Sequence, residues 1–202
     1  MIELPAGVRL VLASASPRRS ELLRSVGLEF DVVPADIDES VRPGELPTDY
    51  VARLSAEKAR VVAERVGTDR VVVAADTTVD VDGRILEKPV DDDDARRMLA
   101  LLSGRTHLVH TGVTVVGLGT SSKVPATIVV ETAVDFVEAT PALVEWYVGT
   151  GEPVDKAGGY AIQGAGGALV RRLDGSVTNV IGLPLAETLE LIRASARPSG
   201  SR

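Results

Sequence analysis

The sequence contains no cysteine, few aromatic residues and no long apolar run, and each absence narrows the possible classes of protein. Without cysteine, the chain has no disulfide, no thiolate nucleophile and no cysteine metal site. Aromatic residues make up 3% of the 202 residues, so valine, alanine, leucine and isoleucine must fill the core. No run of about 18 apolar residues occurs, which predicts that no segment spans a membrane.

Positive charge is also scarce, since the net charge is −7 at neutral pH. Proteins that bind nucleic acid are usually basic, so we expect no nucleic-acid partner. The beginning of the chain, MIELPAGVRL, lacks the basic and then apolar layout of a signal peptide, and we expect a cytoplasmic protein. The length and the 45% apolar content suit one large domain, which we assign to residues 1–196, with a disordered tail at 197–202.

Strand patterns alternate with helical patterns along the chain. Strands are predicted at residues 8–13, 107–116 and 126–137, and helices at residues 48–66, 91–102 and 184–195. The apolar run VVVAA predicts a buried strand that a polar segment, residues 76–78, interrupts, and Asp82-Gly83 is typical of a hairpin turn. The mixture predicts an α/β protein whose helices cover the faces of a sheet.

The stretch LVLASASPRRSELLRSVG joins a strand to a helix with two arginines in the first helical turn. Ser16 is placed to cap this helix, whose N-terminus carries partial positive charge and therefore favours acids over Arg18 and Arg19. The conflict disappears if an external anion binds there, held by free N–H groups, by the hydroxyl of Ser14 and by the two guanidinium forks. The alternative is a pair of solvated surface arginines.

Known phosphate and dinucleotide motifs do not account for this loop. No GxxxxGK[ST] sequence occurs. The GxG in GAGGAL does not complete a dinucleotide fingerprint, because Leu169 stands where the third glycine belongs. The sequence therefore predicts a phosphate-chain site of a different kind.

Among the acidic residues, Asp76 is the most informative. It follows an apolar strand, where a carboxylate is well placed to bind a divalent cation or to activate water. The alternative is an aspartate that caps a turn with its own backbone. Asp36, Asp38 and Glu39 in ADIDES are further candidates, although the pattern alone favours solvated acids for Asp38 and Glu39.

Other charged residues admit simple structural interpretations. The run Asp91–Asp94 matches the acids favoured at the start of a helix. His107 and His110 are three apart in a strand pattern, so they face opposite sides and should not share a metal. Lys58 and Lys88 are either surface lysines or cations that neutralise phosphate.

A set of ordered motifs resembles the Maf family of nucleoside triphosphate pyrophosphatases, first described in connection with septum formation. The motifs are LASASPRRSELL, DIDES, EKA, AADTTV, EKP, LSGRTHLVHTGV, GEPVDKAGGYAIQGAGG and NVIGLPL, and they span the chain from about Leu10 to Ile192. The resemblance implies a long twisted mixed sheet flanked by helices, with two lobes and a central cleft, as in inosine triphosphate pyrophosphatases. It also implies cleavage between the α- and β-phosphates, a need for Mg²⁺ or Mn²⁺, and a homodimer.

The resemblance also assigns roles to individual residues. Asp76 matches the family's proton acceptor, Glu39 matches the acid of the second motif, and both are expected to hold the metal. Lys88 is expected to join these two in catalysis. The substrate-binding residues implied are Ser14, Arg18, Arg19, Lys58, Thr77 and Gln163.

Three of these positions divide the family by substrate. Arg18, Thr77 and Gln163 match the Arg, Thr and Gln of the group acting on dTTP and UTP, whereas the 7-methyl-GTP group tends to Trp, Gln and Glu. The implied function is removal of selected nucleotides from the pool. Two alternatives stay open: a non-catalytic nucleotide sensor acting on cell division, and a nucleic-acid-binding module using the basic loop.

Overall fold

The computed structural model describes residues 8–118 and 125–196, so the predicted tail lies outside the described residues. The strands are β1 Arg9–Leu12, β2 Phe30–Val32, β3 Arg70–Val81, β4 Arg84–Leu86, β5 Thr106–Val116, β6 Ala126–Phe136 and β7 Val170–Asp174. The α-helices are α1 Pro17–Ser25, α2 Pro47–Val66, α3 Asp92–Leu102, α4 Pro141–Val148, α5 Val177–Ile181 and α6 Leu185–Ser195. Short 3₁₀ turns occupy Ala157–Gly159 and Gly164–Leu169.

The strands form one mixed sheet in the order β2-β1-β3-β5-β6-β7, with β4 beside the end of β3. β1 runs parallel to β2 and to β3, whereas β5, β6 and β7 continue the sheet in antiparallel pairs. Helices flank this sheet, and the longest of them, α2, packs against β3 and β5. The predicted class, a mixed α/β sheet flanked by helices, is confirmed.

Strand β3 extends through the segment that the sequence suggested was an interruption. Asp76 pairs with Gly112, Thr77 with Thr111 and Thr78 with His110, all within the ladder to β5. The predicted polar interruption at 76–78 is therefore wrong, and so is the alternative of a turn-capping aspartate. The backbone stays extended because its ladder to β5 runs unbroken from Val72 to Asp80, while the Asp76 carboxylate accepts from Lys58 and the Thr77 hydroxyl bonds with Thr111.

Separate hydrophobic clusters surround the two halves of β3. The first half packs on one face against α1 and α6, through residues that include Leu23, Val71 and Ile192, and on the other face against α2, through Val62 and Val72. The second half belongs to a cluster with α3 and α4 that includes Val79, Val81, Leu99, Phe136 and Tyr147. Residues 76–79 of β3 lie between these clusters and line the wall of a cavity. The structure therefore has two lobes with a cleft between them.

Side chains predicted to begin helices do so in the structure. Ser16 caps α1 by accepting the N–H of Arg19, and Asp91 caps α3 by accepting the N–H of Asp94 at 2.8 Å. The aspartates that follow Asp91 lie in the first turn of α3, where the helix dipole favours acids. Within the described residues, no helix has the length and apolar content needed to cross a membrane.

A glycine sets how closely α2 approaches the sheet. Gly112 on β5 lies opposite Asp76, and a Cβ added there would collide with the backbone carbonyl of Val51 in α2. Lys58 lies about two helical turns beyond Val51, on the same side of α2. The absence of a side chain at Gly112 therefore lets α2 lie low enough for Lys58 to reach the sheet.

We expect Gly112→Ala to lower the free energy of unfolding by about 1 to 3 kcal/mol, because the added methyl overpacks the contact between α2 and β5. Urea unfolding measures the change. Val129→Ala is the control, since Val129 pairs with Gly112 from β6 and is partly exposed; it should cost less than about 1 kcal/mol. Equal stability of Gly112→Ala and the wild type would contradict the close approach.

Candidate active site

A cavity of about 750 Å³ opens between the two lobes. Every residue predicted for the site lines it: Ser14, Arg18, Arg19, Glu39, Lys58, Asp76, Thr77, Lys88 and Gln163. They come from the segment between β1 and α1, from α1, the loop before α2, α2 itself, β3, the segment after β4, and the segment before the second 3₁₀ turn. The fold thus brings distant parts of the sequence to one place.

At the floor of the cavity, Lys58 joins the two acidic candidates. Its ammonium donates to Asp76 Oδ1 at 2.6 Å and lies 2.8 Å from Glu39 Oε1. Lys58 and Asp76 are each 7% exposed, so both charges are held out of bulk water and depend on this pairing. We call these three residues the carboxylate–lysine cluster.

Two residues of α2 hold the loop that carries Glu39. The hydroxyl of Tyr50 donates to the carbonyl of Glu39 at 3.0 Å. The guanidinium of Arg53 donates to both carboxylate oxygens of Glu45, at 2.5 and 2.7 Å. It also donates to the carbonyl of Ser40 at 3.1 Å. A segment without regular secondary structure is therefore anchored at the carbonyl of Glu39 itself and at that of the next residue.

The ionisation of Glu39 follows from its neighbours. Partial burial alone would raise its pKa, but the hydrogen bond and charge of Lys58 act in the opposite direction. The charges of Lys88 and Arg19 add to the effect of Lys58, and the pKa of Glu39 ends below its usual value. Glu39 is therefore an anion at neutral pH.

The two arginines of α1 are not equivalent. Arg19 donates to the carbonyl of Gly182 at 2.8 Å, to Ser14 Oγ at 3.2 Å and to Thr77 Oγ1 at 3.1 Å. Burial lowers its pKa and the charge of Asp76 raises it. The alternative of a solvated surface residue is wrong for Arg19, which ties α1 to β3 and to the segment before α6. Arg18 lines the cavity and is half-buried.

The comparison with known proteins decides the family. The model of the Maf family, described as Maf-like protein, matches residues 9–195. The chain belongs to the Maf family. A relative from Anaeromyxobacter dehalogenans (strain 2CP-C), named dTTP/UTP pyrophosphatase, is 56% identical over 190 residues, 94% of this chain and 95% of that one. A dTTP/UTP pyrophosphatase from Myxococcus xanthus (strain DK1622) is 50% identical, covering 94% of this chain and 93% of the relative.

Solved structures that align with this chain were also found. The structure of a HAM1 protein from Coxiella burnetii aligns over 94% of both chains with a TM-score of 0.48 and 16% identity. The Staphylococcus aureus Ham1 protein aligns over 64% of this Maf chain and 72% of that chain, with a TM-score of 0.45 and 13% identity.

The Maf structure adds cavity residues that the sequence did not single out. Lys156 lines the cavity, and both its burial and the charge of Arg18 lower its pKa. Tyr50, Glu87 and Tyr160 also line the wall. The only sequence signal for Lys156 and Tyr160 is their position in the motif GEPVDKAGGYAIQGAGG, which covers many residues and does not distinguish among them.

Within residues 8–118 and 125–196, no group of three or more His, Asp or Glu side chains forms a preformed metal site. His107 Nε2 lies 2.7 Å from the hydroxyl of Tyr160, while His110 Nε2 lies 3.2 Å from Asp80 Oδ2. The two histidines thus contact different residues, as the strand pattern predicted.

The His107–Tyr160 pair makes the Maf protein sensitive to acid. Burial lowers the pKa of His107 to about 4, with a partial opposing effect from Asp135. In the unfolded chain a histidine has a pKa of about 6.5, so between these values the unfolded state binds more protons. The contribution of neutral, buried His107 to the free energy of unfolding is therefore complete above about pH 6.5 and is lost as the pH falls towards 4.

We expect the wild type to lose about 2 to 3 kcal/mol of unfolding free energy through His107 between pH 7 and pH 4.5. His107→Gln, which keeps a polar group beside Tyr160 but does not titrate, should lack this part of the loss. Urea unfolding at several pH values measures both proteins. If the unfolding free energies of the two proteins fell in parallel with pH, His107 would not be the source of the loss.

Proposed function

We propose that this Maf protein hydrolyses nucleoside triphosphates to the monophosphate and pyrophosphate, with dTTP and UTP preferred. The observation that carries the proposal is the carboxylate–lysine cluster, with Lys58 and Asp76 buried, in a cavity whose walls carry further cations. Relatives named dTTP/UTP pyrophosphatase, with matches covering more than nine-tenths of both chains, support the substrate class.

The cationic walls suit a triphosphate, which carries about four negative charges near neutral pH. Arg18, Lys88 and Lys156 line the cavity from three separate segments, and the N-terminus of α1 adds backbone N–H groups. The attacking water must approach the negatively charged triphosphate, and cations that are fixed in place offset that charge. Arg19 contributes differently, because its hydrogen bonds hold Ser14 and Thr77 in position.

Asp76 is the residue placed to accept the proton from the attacking water. Its carboxylate projects from the middle of β3, so the sheet fixes its position, and the bond to Lys58 orients one of its oxygens. The other carboxylate oxygen takes no part in that hydrogen bond and can accept a proton from water. Direct attack by water needs no covalent intermediate.

The carboxylate–lysine cluster fits a divalent cation. Glu39 and Asp76 converge on one ammonium at 2.8 and 2.6 Å, which shows that both carboxylates reach a common cationic position. A Mg²⁺ or Mn²⁺ site usually needs one or two carboxylates, completed by phosphate oxygens and water. Such an ion supplies charge neutralisation and orientation of the phosphates when bound. Glu39 and Asp76 are the residues that would hold it.

We assign selection of the base to the part of the cavity wall that contains Gln163. Gln163 is exposed there, and an amide both donates and accepts hydrogen bonds, which matches the O4 and N3–H edge of uracil or thymine. Thr77 and Arg18 complete the residue pattern of the dTTP and UTP group. A glutamate at Gln163's position would instead accept two N–H bonds from guanine.

We also propose that the enzyme is a homodimer and cleanses the nucleotide pool, as the family resemblance implies. A single domain is supported by the packing, because all three main hydrophobic clusters share strand β3.

The alternative function, a non-catalytic nucleotide sensor linked to cell division, predicts nucleotide binding without turnover.

We expect Asp76→Asn to reduce pyrophosphate release from dTTP by about two to four orders of magnitude, because the amide cannot accept the proton. Turnover is measured with Mg²⁺ or Mn²⁺. Asp80→Asn is the matched control on the same strand, where Asp80 bonds to Gly83 N and His110 outside the cavity. Near-normal turnover by Asp76→Asn would remove Asp76 from its role, and a wild type that binds dTTP without turnover would favour the sensor.

For base choice, we expect dTTP and UTP to give higher kcat/KM than purine triphosphates, and 7-methyl-GTP to be poor. Gln163→Glu should narrow this preference, because a carboxylate cannot donate to O4 of the pyrimidine. A panel of triphosphates with the wild type and the variant measures the ratios. A purine triphosphate that exceeds both dTTP and UTP would overturn the assignment.

A further inference from the structure

Gln163 itself has little to hold it in place. It is exposed, it stands immediately before the 3₁₀ turn Gly164–Leu169, and its side chain does not cap that turn. An amide that selects a base must meet it at a fixed distance and angle, since hydrogen bonds weaken steeply with poor geometry. The position of Gln163 must therefore come from the backbone on either side of it.

Glu152 binds that backbone on the C-terminal side. Its two carboxylate oxygens accept the consecutive N–H groups of Ala165 and Gly166, each at 2.9 Å. Glu152 is itself held, because its own N–H donates to Thr150 Oγ1 at 3.1 Å. Two charge-assisted bonds from one carboxylate fix both the position and the orientation of the turn.

The N-terminal side of Gln163 is held by Tyr147 at the end of α4. The Tyr147 hydroxyl accepts the N–H of Ala161 at 3.0 Å, and the Tyr147 side chain is fully buried. Glycines make this close packing possible. A Cβ at Gly164 would collide with Glu152 Oε1, and one at Gly166 would collide with the carbonyl of Ala161.

We infer that Glu152 is a positioning residue for base selection: its carboxylate fixes the turn that follows Gln163 and thereby sets where the Gln163 amide meets the base. This inference rests on the proposed function. Glu152 does not line the cavity, so the proposed role is indirect and acts through the position of Gln163.

The test uses Glu152→Gln, which keeps the size of the side chain but turns one acceptor into an NH₂ group facing a backbone N–H. We expect the dTTP-over-dGTP ratio of kcat/KM to fall about tenfold, mainly through a higher KM for dTTP. The same fall should appear in binding of the α,β-methylene analogues of dTTP and dGTP, measured by calorimetry without turnover.

A double-mutant cycle separates positioning from general damage. In a Gln163→Ala background, Glu152→Gln should change the ratio less than about twofold, because the amide that it positions is gone. Glu145→Gln is the matched control. It also removes a glutamate charge, on α4, where Glu145 pairs with Arg96 at 2.7 Å, and it should leave the ratio unchanged.

The outcomes are distinct. Absence of turnover with an intact binding preference would overturn the proposed function alone. An unchanged binding ratio in folded Glu152→Gln, or an equal fall in the Gln163→Ala background, would overturn the positioning role, as would a wild type that binds both analogues equally. If Glu152→Gln does not fold, Glu152→Asp replaces it; the shorter side chain must pull or release the turn, so an unchanged ratio would again overturn the role.

Discussion

The pairing of Lys58 with Asp76 and Glu39 is the interaction on which the rest of the structure depends. The Asp76 carboxylate and the Lys58 ammonium are removed from most of their water, which costs free energy that their mutual attraction must offset, while Glu39 pairs with Lys58 from an exposed position. Such a cluster therefore tolerates little displacement of its members. The low approach of α2 over Gly112 and the anchoring of the Glu39 loop are the means by which the fold keeps the three charges together. The cluster retains one net negative charge, which agrees with the divalent cation that we propose for it.

The two ends of the cavity are built by different physical means. At the end that we propose for the phosphates, charge and the regular geometry of β3 and α1 place the functional groups. Around Gln163, where we propose that the base binds, the chain has only short turns and glycines, and the placement depends on backbone hydrogen bonds to Tyr147 and Glu152. Phosphate recognition tolerates flexible cations because charge attraction acts over distance, whereas base recognition requires directional bonds and hence a fixed backbone.

Much of this arrangement was predictable from local sequence patterns. The cap at Ser16, the acidic start of α3 and the opposite facing of His107 and His110 follow from local geometry. The continuity of β3 through Asp76 could not be predicted, because polar residues resemble a strand end unless the partners across the sheet are known. The resemblance supplied the membership of the site, but neither spacing nor composition revealed the hydrogen bonds of Arg19 or the anchor at Glu152. Both involve segments that the sequence does not show to be neighbours.

Arg19 and Gly182 are 163 residues apart in the chain, whereas Lys58 and Asp76 are separated by 18. During synthesis from the N-terminus, the residues of the carboxylate–lysine cluster emerge well before the carbonyl of Gly182 that holds Arg19. Contacts between distant segments form late because closing a long loop costs entropy. The phosphate-side loop thus stays incomplete until nearly the whole domain has left the ribosome. A partly made chain therefore lacks a finished nucleotide site, and the order of synthesis itself delays the onset of activity.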